Sequence, residues 1–296
     1  MKKVLIAAAV LATLTACEYQ ELYKVPTMPG NDVPIENPTR LTVTTDETST
    51  VTEGINVNLL HPESNEVQAT FGIDSAVDVE AGTYIILKTN DPWENVTFDA
   101  PIVTLNTFVV DSRAEGAYVY SADNIHAGFQ LVTLKANETH EYEMALQQYT
   151  RTIRFMVKLV GITADEVASV TYDLTGARTS SNLIKPFGPD AVTGIATLTG
   201  HFPTLETDAD GNLTAVSDAR LLGLDLTAPQ LTVTARLADG SVQTLTLDVT
   251  SHLRRFYQMN ADQFITLEAL LSFGLDGLTG SIQGWTPGWN EDVNGN

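Results

Sequence analysis

HEYEMALQQYTRTIRFMVKLVGI, residues 140–162, decides the fold. Its second half, RTIRFMVKLV (151–160), alternates apolar and polar side chains with the period of two that a half-buried strand requires. Its first half reads as another strand, and the two meet at Gln148-Tyr149-Thr150. A strand that closes one sandwich here runs into a strand that opens the next. The same alternation recurs on both sides, in LTVTT (41–45), INVNLL (55–60), TYIILKT (83–89), VTLNTFVV (103–110), FQLVTLK (129–135), SVTYDLT (169–175), LTVTARL (231–237) and VQTLTLDVT (242–250). Threonine, valine and isoleucine fill these runs, as suits a pleated surface. Asp210-Gly211 and Asp239-Gly240 read as hairpin turns, because such turns demand a positive φ. Helical periodicity is scarce: TADEVAS (163–169) suits one short turn, and ADQFITLEALL (261–271) fits either a helix or a strand. The expected fold is all-β, with two tandem β-sandwiches at 41–148 and 149–285 and a C-terminal tail at 286–296.

The N-terminus has a different character. Lys2 and Lys3 precede an apolar run from Val4 to Leu14. That length lies within the roughly 7–15 residues of an export signal and short of the about 20 needed to span a bilayer. Leu14-Thr15-Ala16-Cys17 resembles a bacterial lipobox, which implies that residues 1–16 are a lipoprotein signal peptide and that the Cys17 thiol is lipidated. Cys17 is the single cysteine, so it cannot form a disulfide within the chain, and a thioether to lipid removes an exposed thiol. Each buried acyl methylene contributes about 0.8 kcal/mol, and stable anchoring takes more than one chain. Residues 17–40 carry Pro26, Pro29, Pro34 and Pro38 and read as an extended, lipid-anchored tether. The expected location is the outer membrane, with the protein facing outward.

The formal charge of −21, from 16 Lys and Arg against 37 Asp and Glu, excludes nucleic acid as a partner. With 43% hydrophobic residues the chain has enough apolar surface to fold. His61, His126, His140, His201 and His252 share no metal-ligand spacing, and no nucleophile elbow or phosphate loop is present. No enzyme activity, cofactor or metal is expected. Asp208-Ala209-Asp210-Gly211-Asn212 resembles part of a calcium loop, but the twelfth position is Ala219, so a hairpin turn is the better reading. Trp93 and Trp289 are the candidate ligand contacts, each able to stack on a sugar or to seal a sheet.

Several short segments, in order, resemble one family. They are Gly82-Thr83-Tyr84 followed by IILKTND, Tyr149 to Phe155, Val170 to Ala177, Leu237-Ala238-Asp239-Gly240 with Leu247 to Thr250, and Gly284 to Trp289. Together they resemble the Bacteroidetes fimbrillin-like superfamily, nearest the minor fimbrial anchor lipoproteins of type V pili. The resemblance implies transthyretin-like sandwiches and a non-enzymatic anchor or accessory subunit in cell adhesion. It also implies fimbrial subunits as partners, bound by strand addition, in which main-chain hydrogen bonds give affinity and alternate side chains give selectivity. Residues 41–45 and the C-terminal tail are the expected participants. Arg40, the first arginine, sits directly before LTVTT and is a candidate maturation cleavage site; an anchor would stay uncut, since a cut there severs it from Cys17. The alternative is a surface glycan-binding lipoprotein.

Overall fold

Three consecutive apolar residues, Ile85, Ile86 and Leu87, set the architecture, because a strand with one wet face alternates and a strand buried on both faces does not. The computed structural model describes residues 38–46, 51, 54–90, 93–110, 116–260, 263–274 and 277–289. In chain order the strands of the first half are β1 (Thr39–Thr45), β2 (Asn56–Leu60), β3 (Val67–Gly72), β4 (Ala76–Val79), β5 (Gly82–Thr89), β6 (Val96–Asp99), β7 (Ile102–Leu105), β8 (Thr107–Phe108), β9 (Tyr118–Val119), β10 (His126–Leu134), β11 (Thr139–Met144) and β12 (Gln147–Gln148). Those of the second half are β13 (Arg151–Val160), β14 (Val167–Ala177), β15 (Ser180–Asn182), β16 (Val192–Thr193), β17 (Ala196–His201), β18 (Glu206–Thr207), β19 (Leu213–Leu221), β20 (Gln230–Leu237), β21 (Val242–Asp248), β22 (Gln263–Gly274) and β23 (Gly277–Trp289).

The first sandwich packs the sheet β11-β1-β4 on the sheet β12-β10-β5-β2-β3. Between them Leu41, Val43, Val57, Leu59, Ile86, Val132 and Leu134 form a core. Leu60 and Leu87 point the other way, into a larger core that holds Ile153, Phe155, Leu174 and Leu198 of the second half. The middle of the β5 sheet is therefore buried on both faces. β1 is the central strand of its sheet, parallel to β11 (Leu41 opposite His140) and antiparallel to β4 (Leu41 opposite Val77). This corrects the expectation that 41–45 adds to a partner: β11 covers one edge throughout, and β4 with the Asp74 N–H covers the other as far as Val43.

Lys88 follows Leu87 and so falls on the face of the first core, where it is fully buried. Its ammonium donates to the Thr44 carbonyl (3.2 Å), the Thr45 hydroxyl (2.8 Å) and the Met144 carbonyl (2.8 Å). These acceptors lie where β1 and β11 end, so one side chain of β5 ties the two sheets together. Burial lowers the Lys88 pKa, and Asp74 and Asp46 offset part of that shift.

In the second sandwich the sheet β18-β19-β13-β22-β23 faces the sheet β21-β20-β14-β17-β9-β8. The alternation of RTIRFMVKLV is reproduced: Ile153, Phe155, Val157 and Leu159 are buried, and Arg154, Met156, Lys158 and Val160 are half-exposed. β13 lies antiparallel to β19 and parallel to β22. From Gln263 onward the ambiguous 261–271 segment is strand β22, with Ile265, Leu267, Ala269 and Leu271 buried. Its place between β13 and β23 decides the matter over local propensity. TADEVAS contains a single 3-10 turn, Ala164–Glu166, whose Glu166 carboxylate accepts from the Thr163 N–H (2.9 Å) and hydroxyl (2.7 Å). Gly240 turns β20 into β21 at φ +87°, a conformation that L side chains rarely adopt.

Residues 96–119 fall in the first half of the expected division, yet their strands pair with the second. β7 lies against β15 (Val103 opposite Ser181), and β9 runs parallel to β17 (Val119 opposite Leu198). The expected boundary at 285/286 falls inside β23, where Thr286 is opposite Thr266 and Pro287 opposite Ile265. Proline is tolerated there because β23 ends its sheet and an edge strand needs no second donor row.

Lys88→Met is expected to destabilise the protein by about 1–3 kcal/mol in urea unfolding, because three acceptors lose their donor. With its folded pKa lowered, wild-type Lys88 carries a charge-burial cost at neutral pH that is relieved as pH rises through the lowered pKa toward the unfolded value of about 10.4. The variant should lack this alkaline gain; equal pH slopes would show that Lys88 is not a strained charge.

Candidate functional site

The sequence HAGFQLVTL makes β10 an apolar strand without Asp, Glu, Lys or Arg. Its first residues are well tied. His126 and Ala127 pair with β12, and the His126 N–H donates to the Asn90 side chain (2.7 Å). At Gly128 the Ala145 carbonyl comes so close that a Cβ would collide with it. From Phe129 to Leu134, β10 pairs on one side with β5, from Phe129 opposite Leu87 to Leu134 opposite Gly82. Among the described residues no strand covers its other side. β11, the next strand, crosses to the opposite sheet and ends it there, so among the described residues both sheets show an unpaired edge.

The side chains of this edge alternate. Val132 and Leu134 enter the first core. Phe129 and Leu131 project outward and are 43% and 63% exposed. An edge strand with exposed apolar side chains and no charge is a template for pairing that natural proteins otherwise blunt.

A cavity of about 300 Å³ lies at the foot of this edge, between β10, the turn joining β11 to β12, and the loop after β15. Arg151 lines it, only 7% exposed. Its Nη1 donates to the Gln148 carbonyl (2.8 Å), with the Thr150 and Tyr149 carbonyls at 3.3 and 3.4 Å. The Phe187 ring covers the guanidinium at 4.1 Å. Beside it the Tyr149 hydroxyl donates to the Asn182 carbonyl (2.9 Å) and accepts from Ser181 (3.0 Å). Burial raises the Tyr149 pKa, so it stays a neutral donor.

The residues singled out from the sequence are scattered. Cys17 lies outside the described residues. Arg40 is inside β1, opposite Thr139 and Asp78; its N–H donates to the Glu138 carbonyl (3.1 Å) and its guanidinium lies 3.8 Å from Asp78. Trp93 is half-buried, donates its Nε1–H to Asn90 (3.3 Å) and meets Phe98 edge-on at 5.5 Å. Trp289 ends β23 with its backbone opposite Gln263. The Asp208 carboxylate is spent inside its hairpin turn: Oδ1 accepts from the N–H groups of Asp210 (3.0 Å) and Asn212 (2.8 Å), and Oδ2 meets the Lys158 ammonium at 2.7 Å. The Lys158 hydrogen bond, followed by that of Asn212, lowers the Asp208 pKa to about 2. Among the described residues no group of three His, Cys, Asp or Glu is placed to hold a metal. Neither the open edge nor the Arg151 cavity was legible in the sequence; a charged residue opening an apolar strand, as Arg151 does, was the one available signal.

No family model and no curated protein matches the chain. Among solved structures, a candidate adhesin from Bacteroides ovatus ATCC 8483 superposes with a TM-score of 0.52 at 17% identity, covering 74% of this chain and 84% of that one. A second candidate adhesin from Bacteroides ovatus gives 0.51 at 11% identity, covering 86% and 96%. The fimbrial anchor protein Mfa2 from Porphyromonas gingivalis gives 0.47 at 14%, covering 85% and 98%. At these identities the first two likenesses show a shared all-β sandwich fold. Among the described residues no helix is long and apolar enough to cross a membrane.

An NMR titration of the Asp208 carboxylate should give a midpoint near 2 that Lys158→Met moves up toward the ordinary 3.9. Millimolar calcium should leave that midpoint in place. A midpoint unmoved by Lys158→Met would remove the ion pair as its cause.

Proposed function

We propose that this chain is a non-enzymatic cell-surface adhesion subunit of the fimbrillin-like kind. Lipid on Cys17 holds it to the outer membrane, and a fimbrial subunit joins it by adding a strand to β10. The observation that carries this reading is the edge from Phe129 to Leu134: one side paired, the other without a strand among the described residues, and two apolar side chains turned outward. An added strand would extend the β5 sheet and cover Phe129 and Leu131, giving main-chain affinity and side-chain selectivity at once. The adhesin-like fold of the Bacteroides structures supports an adhesion role. Arg40 stays uncut in this reading. A protease needs an extended, unpaired segment, and Arg40 is hydrogen-bonded within the central strand of its sheet.

A photocrosslinking residue in place of exposed Thr133, in the native cell, should capture a fimbrial subunit. Leu131→Lys should abolish the crosslink and leave thermal stability almost unchanged, as an exposed substitution does. A crosslink that survives Leu131→Lys, or none in the parent, would remove β10 as the joining edge. Intact-mass measurement of the mature protein should show acyl chains on a terminal Cys17 and no product beginning at Leu41; a free thiol or that product would contradict the anchor.

A further inference from the structure

The cavity at the foot of β10 lies where Gly128 and Ala145 close the edge, so an added strand ends at its rim. Its chemistry differs from that of the edge. In a chain of formal charge −21, two cations, Arg151 and Lys185, line it against one carboxylate, Glu143, an excess of one positive charge. Arg151 is fixed by its backbone acceptors and by Phe187, and so is pre-organised rather than floppy. Lys185 is exposed, with its Nζ 3.4 Å from the Asp190 carbonyl. Three amide-bearing residues, Gln130, Gln147 and Gln148, also line the space, and an amide side chain can both donate and accept. Phe129 contributes an aromatic ring that is 43% exposed.

Cations, amides and an exposed aromatic ring match a ligand that combines a carboxylate, several hydroxyls and a C–H face. The volume, about 300 Å³, is at the lower end of the about 300–1,000 Å³ of small-molecule sites, so a single ring fits and a long chain does not. We propose that this cavity binds a carboxylated sugar residue, with the carboxylate toward Lys185 and Arg151, hydroxyls on the glutamine amides and the ring against Phe129. Binding here needs no fimbrial partner; because Phe129 and Gln130 belong to both, a strand added to β10 would compete with the sugar for them.

Saturation-transfer NMR on the purified full chain, with sodium glucuronate, glucose and sodium acetate as probes, tests this. Glucuronate should bind saturably, and glucose and acetate each about tenfold more weakly. Lys185→Gln should weaken glucuronate about tenfold, the loss of one charge-assisted hydrogen bond. Phe129→Ala should weaken it too, while leaving acetate unaffected; both side chains are exposed, so both variants should fold. No saturable glucuronate signal, glucose binding as tightly, or an affinity indifferent to Lys185→Gln would each overturn the assignment. Acetate binding as tightly as glucuronate would overturn the sugar and mark a bare carboxylate site, suited to an acidic peptide.

Discussion

Burial of one sheet on both of its faces holds this molecule together. Ile86 and Leu59 serve the core of the first sandwich, while Leu87 and Leu60, one residue along, serve the core shared with the second. Because successive side chains on a strand point to opposite faces, a one-residue slip of β5 would exchange these two sets. It would also move Lys88 away from the carbonyls that it satisfies at the ends of β1 and β11. Register, packing and polar satisfaction therefore depend on a single alignment. The strands of 96–119 reinforce it by pairing across to β15 and β17.

That alignment also explains why β10 can hold its place with one edge unpaired among the described residues. Its inward residues, Val132 and Leu134, are already packed, and its other side is fully paired to β5. The strand does not depend on a second neighbour for its place. An open edge on a rigid scaffold offers a partner a prepared template, and little ordering entropy is lost when it is filled.

The sequence was most readable where one strand fills one environment. RTIRFMVKLV alternates because one of its faces is core, and Asp239-Gly240 turns because its geometry demands a glycine. Segments whose state depends on distant neighbours were opaque. ADQFITLEALL carries as much helix as strand character, and its insertion between β13 and β23 settles it. Strands of two to four residues such as β7 and β9 are too short to show a period, so their crossing to the second half had no local signature. FQLVTLK reads the same with one neighbour or two. Nothing local to Lys88 or Arg151, near the end and at the start of their strands, tells that both are buried on backbone carbonyls. Of the candidate site, the strand was visible and its exposure was not.

The central position of β1 has a mechanical consequence. The described fold begins at Thr39, directly in a strand bonded on one side to β11 and on the other to β4. With the lipid anchor proposed above, a pull from the membrane side would run along the axis of that strand. The transverse bonds on both flanks then resist together, in shear, instead of parting one after another as in the peeling of an outer strand. In that proposed reading, traction from a fimbria under flow would load the sheet in shear, not by peeling, where the described fold begins.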